Sequence, residues 1–129
     1  MKWIGIAVLL LALAACGGDE EPGPQPGELP FIPELAESVP AAKDMTMGSC
    51  ALEEGAQTVE GRVTNSGSAA ADYVITISWV DDALELRGKG VAVIEDLAPG
   101  ESEDWSATGQ VLDGATQCIP ATFRGELEP

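Results

Sequence analysis

The chain is predicted to be all-β, a small β-sandwich of about seven strands, on three observations. Residues Asp72 to Asp81 alternate with period two, turn compositions recur every 8 to 12 residues or so, and no run of helical period follows the first fifteen residues. In Asp72–Asp81, Tyr73, Ile75, Ile77 and Trp79 fall on one face and Val74, Thr76, Ser78 and Val80 on the other, which makes the first set the expected core face.

The elements follow in chain order. Met1 and Lys2 form a short positive start, and Ile4 to Ala15 is an uncharged apolar run of twelve residues. A bilayer-spanning helix needs about 20 such residues, so this run has signal-peptide length. It closes on Leu13-Ala14-Ala15-Cys16, which resembles the lipobox of bacterial lipoproteins. The resemblance implies a cleaved signal peptide over residues 1–15, a diacylglycerol on Cys16 and an anchor in the membrane through that lipid; two acyl chains suffice for stable anchoring. An ordinary signal peptide with Cys16 as a bystander, or an uncleaved anchor, is the alternative. Gly17, not an acid, follows the cysteine. The expected location is the cell envelope, on the outer leaflet of the cytoplasmic membrane or in an outer membrane if one exists.

From Gly17 to Asp44 the chain holds six of its nine prolines and seven acids against the single base Lys43. Such a composition cannot bury enough apolar surface to offset the entropy of ordering, so residues 16–44 are expected to be a disordered acidic linker. Phe31-Ile32-Pro33-Glu34-Leu35 interrupts it. That stretch is either an apolar break in a tether or a short docking segment built on Phe31, Ile32 and Leu35.

The folded domain is expected over residues 45–127. Thr58 to Thr64 is strand-like and ends on the turn composition Asn65-Ser66-Gly67-Ser68, whose Asn and Gly tolerate positive φ. After Asp72–Asp81, Gly88-Lys89-Gly90 precedes the strand Val91 to Ile94. Leu97-Ala98-Pro99-Gly100 turns into a strand over Glu101–Thr108 with Trp105 inward, and a last strand lies near Cys118–Gly125 with Phe123 inward. With Cys16 taken by lipid, Cys50 and Cys118 are the remaining pair in an oxidising compartment and are expected to be disulfide-bonded, tying the first strand to the last; two buried free thiols are the rival.

Val59-Glu60-Gly61-Arg62-Val63-Thr64-Asn65, the turn Leu97-Ala98-Pro99-Gly100-Glu101 and Ile77-Ser78-Trp79-Val80-Asp81 together resemble the FxLYD family, small immunoglobulin-like domains of bacterial exported proteins. The resemblance covers roughly Gln57 to Trp105. It implies an immunoglobulin-like sandwich with Gly61, Asn65, Asp81, Pro99 and Gly100 as structural motif positions, and a domain that is not an enzyme. The chain departs from the family in carrying Asp82-Ala83-Leu84 where a Gly is usual after the Asp, and in the degenerate naming motif. It also departs from antibody-type domains, since Trp79 lies 29 residues beyond Cys50 and no Tyr stands two before Cys118.

Composition narrows function. With 6 Lys+Arg against 22 Asp+Glu, a formal charge of −16 and no histidine, the chain lacks the basic clusters that neutralise phosphates and the residue most used as a general base, so no nucleic acid is expected as partner. No cofactor is expected. Asp81-Asp82, Glu95-Asp96 and Glu101/Glu103/Asp104 read as solvated acidic faces rather than a Ca²⁺ site, because no EF-hand spacing is present. Trp79 and Trp105 sit in alternating runs and read as core rather than as carbohydrate platforms. The expected function is a membrane-anchored module for protein interaction or an adaptor role in the envelope, with an unidentified envelope protein as partner; a ligand-capturing lipoprotein is the alternative, and an exported enzyme or enzyme inhibitor a lesser one. The sequence carries no mark of oligomeric state.

Overall fold

A computed structural model describes residues 29–128. The described chain is all-β: β1 (Leu35–Pro40), a 3-10 turn (Ala42–Asp44), β2 (Met45–Met47), β3 (Gly55–Thr64), β4 (Ala71–Val80), β5 (Leu86–Leu97), β6 (Ser102–Val111) and β7 (Gln117–Leu127). The strands form two antiparallel sheets, β1-β7-β4-β5 and β2-β3-β6. The central pairings β3 with β6 and β4 with β7 join strands distant in sequence, as in the B–E and C–F pairs of immunoglobulin sandwiches. Here the first strand, β1, occupies the edge beside β7.

Two expectations are corrected at the N-terminal side. The linker was expected to run to Asp44, but its last ten residues belong to the domain, because Leu35–Pro40 pairs antiparallel with β7 from Leu35↔Leu127 to Pro40↔Phe123. Glu37 sits in the left-handed region (φ 54°) where the register slips, and Gly125 makes room below: a Cβ there would lie 2.5 Å from the Ala36 carbonyl oxygen. β5 likewise starts earlier than expected, so Gly88 and Gly90 lie inside the strand. Both are fully turned inward, and a Cβ on either would approach the backbone of β6 at 2.9–3.1 Å; these glycines let β5 and β6 close one side of the sandwich.

The core is the predicted face of β4. Tyr73, Ile75, Ile77 and Trp79 are completely buried, joined by Val59 and Val63 of β3, Ile94 of β5 and Trp105, Ala107 and Val111 of β6. Each large side chain buried this way contributes about 1.5–3 kcal/mol. Trp79 also satisfies its indole, Nε1 donating to the Ala51 carbonyl at 2.9 Å. Phe123 is corrected: it is about two-fifths exposed and points outward, because its register partner on β4 is Val74, whose side chain lies on the face of the sheet away from Tyr73, Ile75, Ile77 and Trp79.

At one end of the sandwich a polar cluster ties the 3-10 turn to the β3–β4 loop and to the β1-β7-β4-β5 sheet. Asp44 is buried and accepts hydrogen bonds from Ser66 Oγ (2.5 Å), Tyr73 Oη (2.7 Å) and Arg124 Nη1 (3.2 Å). Burial pushes its carboxyl pKa up, but the Ser66 and Tyr73 hydrogen bonds and the Arg124 charge outweigh that and hold it below its ordinary value. Tyr73 is pushed up, by burial first and by the Asp44 carboxylate second.

Candidate functional site

The motif positions singled out in the sequence are structural. Gly61 pairs with Trp105 across β3 and β6, and a Cβ on it would run into the Thr46 carbonyl and stand 2.6 Å from Trp105 Cζ2. Asn65 is buried and works through its side chain rather than through positive φ. Its Nδ2 donates to the Ala69 and Leu97 carbonyls (2.9 and 2.8 Å) and its Oδ1 accepts from the Gly67 N–H, which joins the β3–β4 and β5–β6 turns. Pro99 and Gly100 occupy the two central positions of a turn closed by Glu101 N–H donating to Ala98 O at 3.0 Å; Gly100 takes the positive φ (81°) such a turn requires. Asp81 Oδ1 accepts the N–H groups of Ala83 and Glu85, both at 2.9 Å, and Oδ2 accepts from Arg87. The Glu85 backbone bond is the main reason its carboxyl is held below the ordinary value. Leu84 supplies the left-handed residue of this hairpin (φ 64°) where the family resemblance would have a Gly.

Cys50 and Cys118 are bonded, with Cα atoms 6.6 Å apart. Cys50 lies in the loop between β2 and β3 and Cys118 in β7, so the bond ties that loop, not the first strand, to the last strand. Cys16 lies outside the described residues. Among the described residues no three His, Cys, Asp or Glu side chains gather as a metal site, and no helix is long and apolar enough to cross a membrane.

The feature that departs from an ordinary sandwich is the outer face of the β1-β7-β4-β5 sheet. Register places Val91 and Val93 of β5, Val74 and Thr76 of β4, and Ala121 and Phe123 of β7 side by side on it. An antiparallel sheet with one face on the core normally turns polar side chains to water on the other. The second sheet obeys this: its outer face carries Thr58 bonded to Thr108, Thr64 bonded to Ser102, and the Arg62–Asp104 pair. The first sheet does not. Val93, Ile119 and Phe123 are each about two-fifths exposed, and across the middle of the face, over Val74–Ser78, Lys89–Val93 and Ile119–Phe123, Lys89 is the one charged outward residue; Asp72, Arg87 and Glu95 lie toward its ends.

The segment Phe31–Leu35 reaches this same face. Ile32, Pro33 and Leu35 wall an open groove of about 360 Å³ whose floor is Val74, Thr76, Ala121 and Phe123 and which Lys89 borders. Phe31 itself stands 84% exposed. The structure thus brings the apolar N-terminal segment, a docking candidate in the sequence, onto the largely apolar sheet surface. What the sequence could not signal is the register that puts Phe123 beside Val74 and Ile119 beside Ser78.

No family model matches the chain, and no curated protein or solved structure matches it significantly.

Proposed function

We propose that the chain is a bacterial lipoprotein, anchored in a membrane by lipid on Cys16, whose FxLYD-type immunoglobulin-like module is non-catalytic and docks a protein of the cell envelope. The observation that carries the docking is the largely apolar outer face of the β1-β7-β4-β5 sheet with the Ile32–Leu35 segment along it. Exposed apolar patches of this kind on a folded domain mark interaction surfaces. The partner is a protein with an apolar contact surface: elsewhere the domain presents 14 acids between Met45 and Leu127, so this face alone approaches another acidic molecule without like-charge repulsion.

Support for the anchor is the Leu13-Ala14-Ala15-Cys16 sequence after a twelve-residue apolar run. With β1 beginning at Leu35, the linker between Cys16 and the domain is about ten residues shorter than composition suggests, and it meets the domain at the apolar face. The anchor is tested by intact mass of the protein extracted from its native membrane. The expected species starts at Cys16 and carries acyl chains, and Cys16→Ala abolishes both the mass increment and membrane association. A soluble, unacylated mature chain would overturn the anchor.

A further inference from the structure

The groove on the apolar face has a chemical asymmetry. In a chain where acids outnumber bases 22 to 6, each of Arg62, Arg87 and Arg124 has an aspartate within 3.2 Å. Lys89 borders the groove and has no carboxylate within 4 Å among the described residues. Its ammonium is the single fixed charge among the residues that line the groove.

The face also shows what kind of chain it seats. The protein's own Ile32-Pro33-Glu34-Leu35, an apolar stretch with one carboxylate, runs into β1 along the groove's edge, with Glu34 O accepting from the Glu128 N–H at 3.2 Å. Beside it Val74 and Thr76 are buried, while Ala121 is half-buried and Phe123 about two-fifths exposed, so the open part of the floor lies on β7.

From these observations we infer that the groove takes an extended segment of a partner protein that carries aromatic or aliphatic side chains and a single carboxylate, the apolar side chains on Ala121 and Phe123 and the carboxylate on Lys89. This rests on the docking reading above and adds the partner's chemistry to it. A polyanionic segment is disfavoured because the surrounding acids repel every charge beyond the one that Lys89 receives. A partly exposed ion pair is worth little alone, so Lys89 selects among segments while the apolar contacts hold them.

The test uses the full chain in phosphatidylcholine nanodiscs, which keeps detergent out of the groove, and two synthetic peptides, acetyl-Phe-Ile-Pro-Glu-Leu-amide and its Gln counterpart. Titration is followed by NMR shifts of Val74, Lys89 and Phe123. The Glu peptide is expected to bind about fivefold more tightly than the Gln peptide. Lys89→Gln should erase that ratio, and Phe123→Ser, an exposed position, should weaken both peptides while leaving the rest of the spectrum native. Equal binding of the two peptides to the unaltered chain, lost in Phe123→Ser, overturns the role of Lys89 and leaves the docking face standing. No perturbation by either peptide overturns the groove as a seat for such segments. A doubled mass of the chain alone by light scattering, reversed by Phe123→Ser, would make the occupant a second copy and overturn the assignment to another protein.

Discussion

Replacing both cysteines, Cys50→Ser with Cys118→Ser, is expected to lower stability by about 4 kcal/mol and the thermal midpoint by roughly 20 °C. The bond spans 68 residues and encloses β3, β4, β5 and β6. Chain entropy for a closed loop of that size sets the figure. The bond also pins the β2–β3 loop, whose Ala51 carbonyl receives the Trp79 indole N–H. Freed of the bond, that loop moves and leaves a buried donor unsatisfied at the centre of the core, which adds to the loss. Differential scanning calorimetry of the oxidised chain and the double variant measures the effect. An unchanged midpoint would show that the bond carries no structural load.

Removing the carboxylate of Asp44 should have the next largest effect, about 3 kcal/mol for Asp44→Ala at neutral pH. Hydrogen bonds to a charged group contribute about 1.5–3 kcal/mol, and truncation leaves the buried Tyr73 hydroxyl and the Arg124 guanidinium without their acceptor. The effect has a pH signature. The folded carboxyl is held below its ordinary value of 3.8, so its contribution is fully present above that value and is lost as pH falls through the lower folded value. Asp44→Asn should therefore be destabilised against the unaltered chain at pH 7, with the gap closing below pH of about 4. A gap that stays constant from pH 7 to pH 3 would mean that the ionised carboxylate is not what binds this cluster.

How much of this was legible in the sequence depends on the range of the interaction. The β4 core face was legible because Tyr73, Ile75, Ile77 and Trp79 alternate within one strand, and Trp105 because its neighbours do the same. The Pro99–Gly100 turn was legible because local backbone geometry demands it, and Gly61 through the family resemblance alone, since what excludes a Cβ there is the Thr46 carbonyl and the Trp105 ring on other strands. Phe123 was misplaced because alternation separates two faces without saying which is inward, and in β7 that choice comes from register against Val74. β1 reads as linker in the sequence because an edge strand with no fully buried side chain needs no apolar pattern; its hold on β7 is backbone pairing over a glycine. The Asp44 cluster and the apolar outer face were illegible for one reason. Asp44, Ser66, Tyr73 and Arg124 on the one hand, and Ile32, Val74, Lys89 and Phe123 on the other, are brought together only by strand order.

The claim at the centre of the account is that the largely apolar outer face of the β1-β7-β4-β5 sheet is the working surface. The most direct measurement is site-specific photo-cross-linking in living cells, with the photoreactive residue at Ile119 on that face or at Ser106, exposed on the opposite sheet, followed by the salt dependence of binding to whatever protein is captured. The account predicts a discrete adduct from Ile119 and none from Ser106, with an affinity that changes less than tenfold as salt rises from low to physiological levels, since the contact is chiefly apolar. An adduct from Ser106 alone, a tenfold or greater loss of affinity over that salt range, or an absolute need for Ca²⁺ would place the working surface among the acids and contradict it.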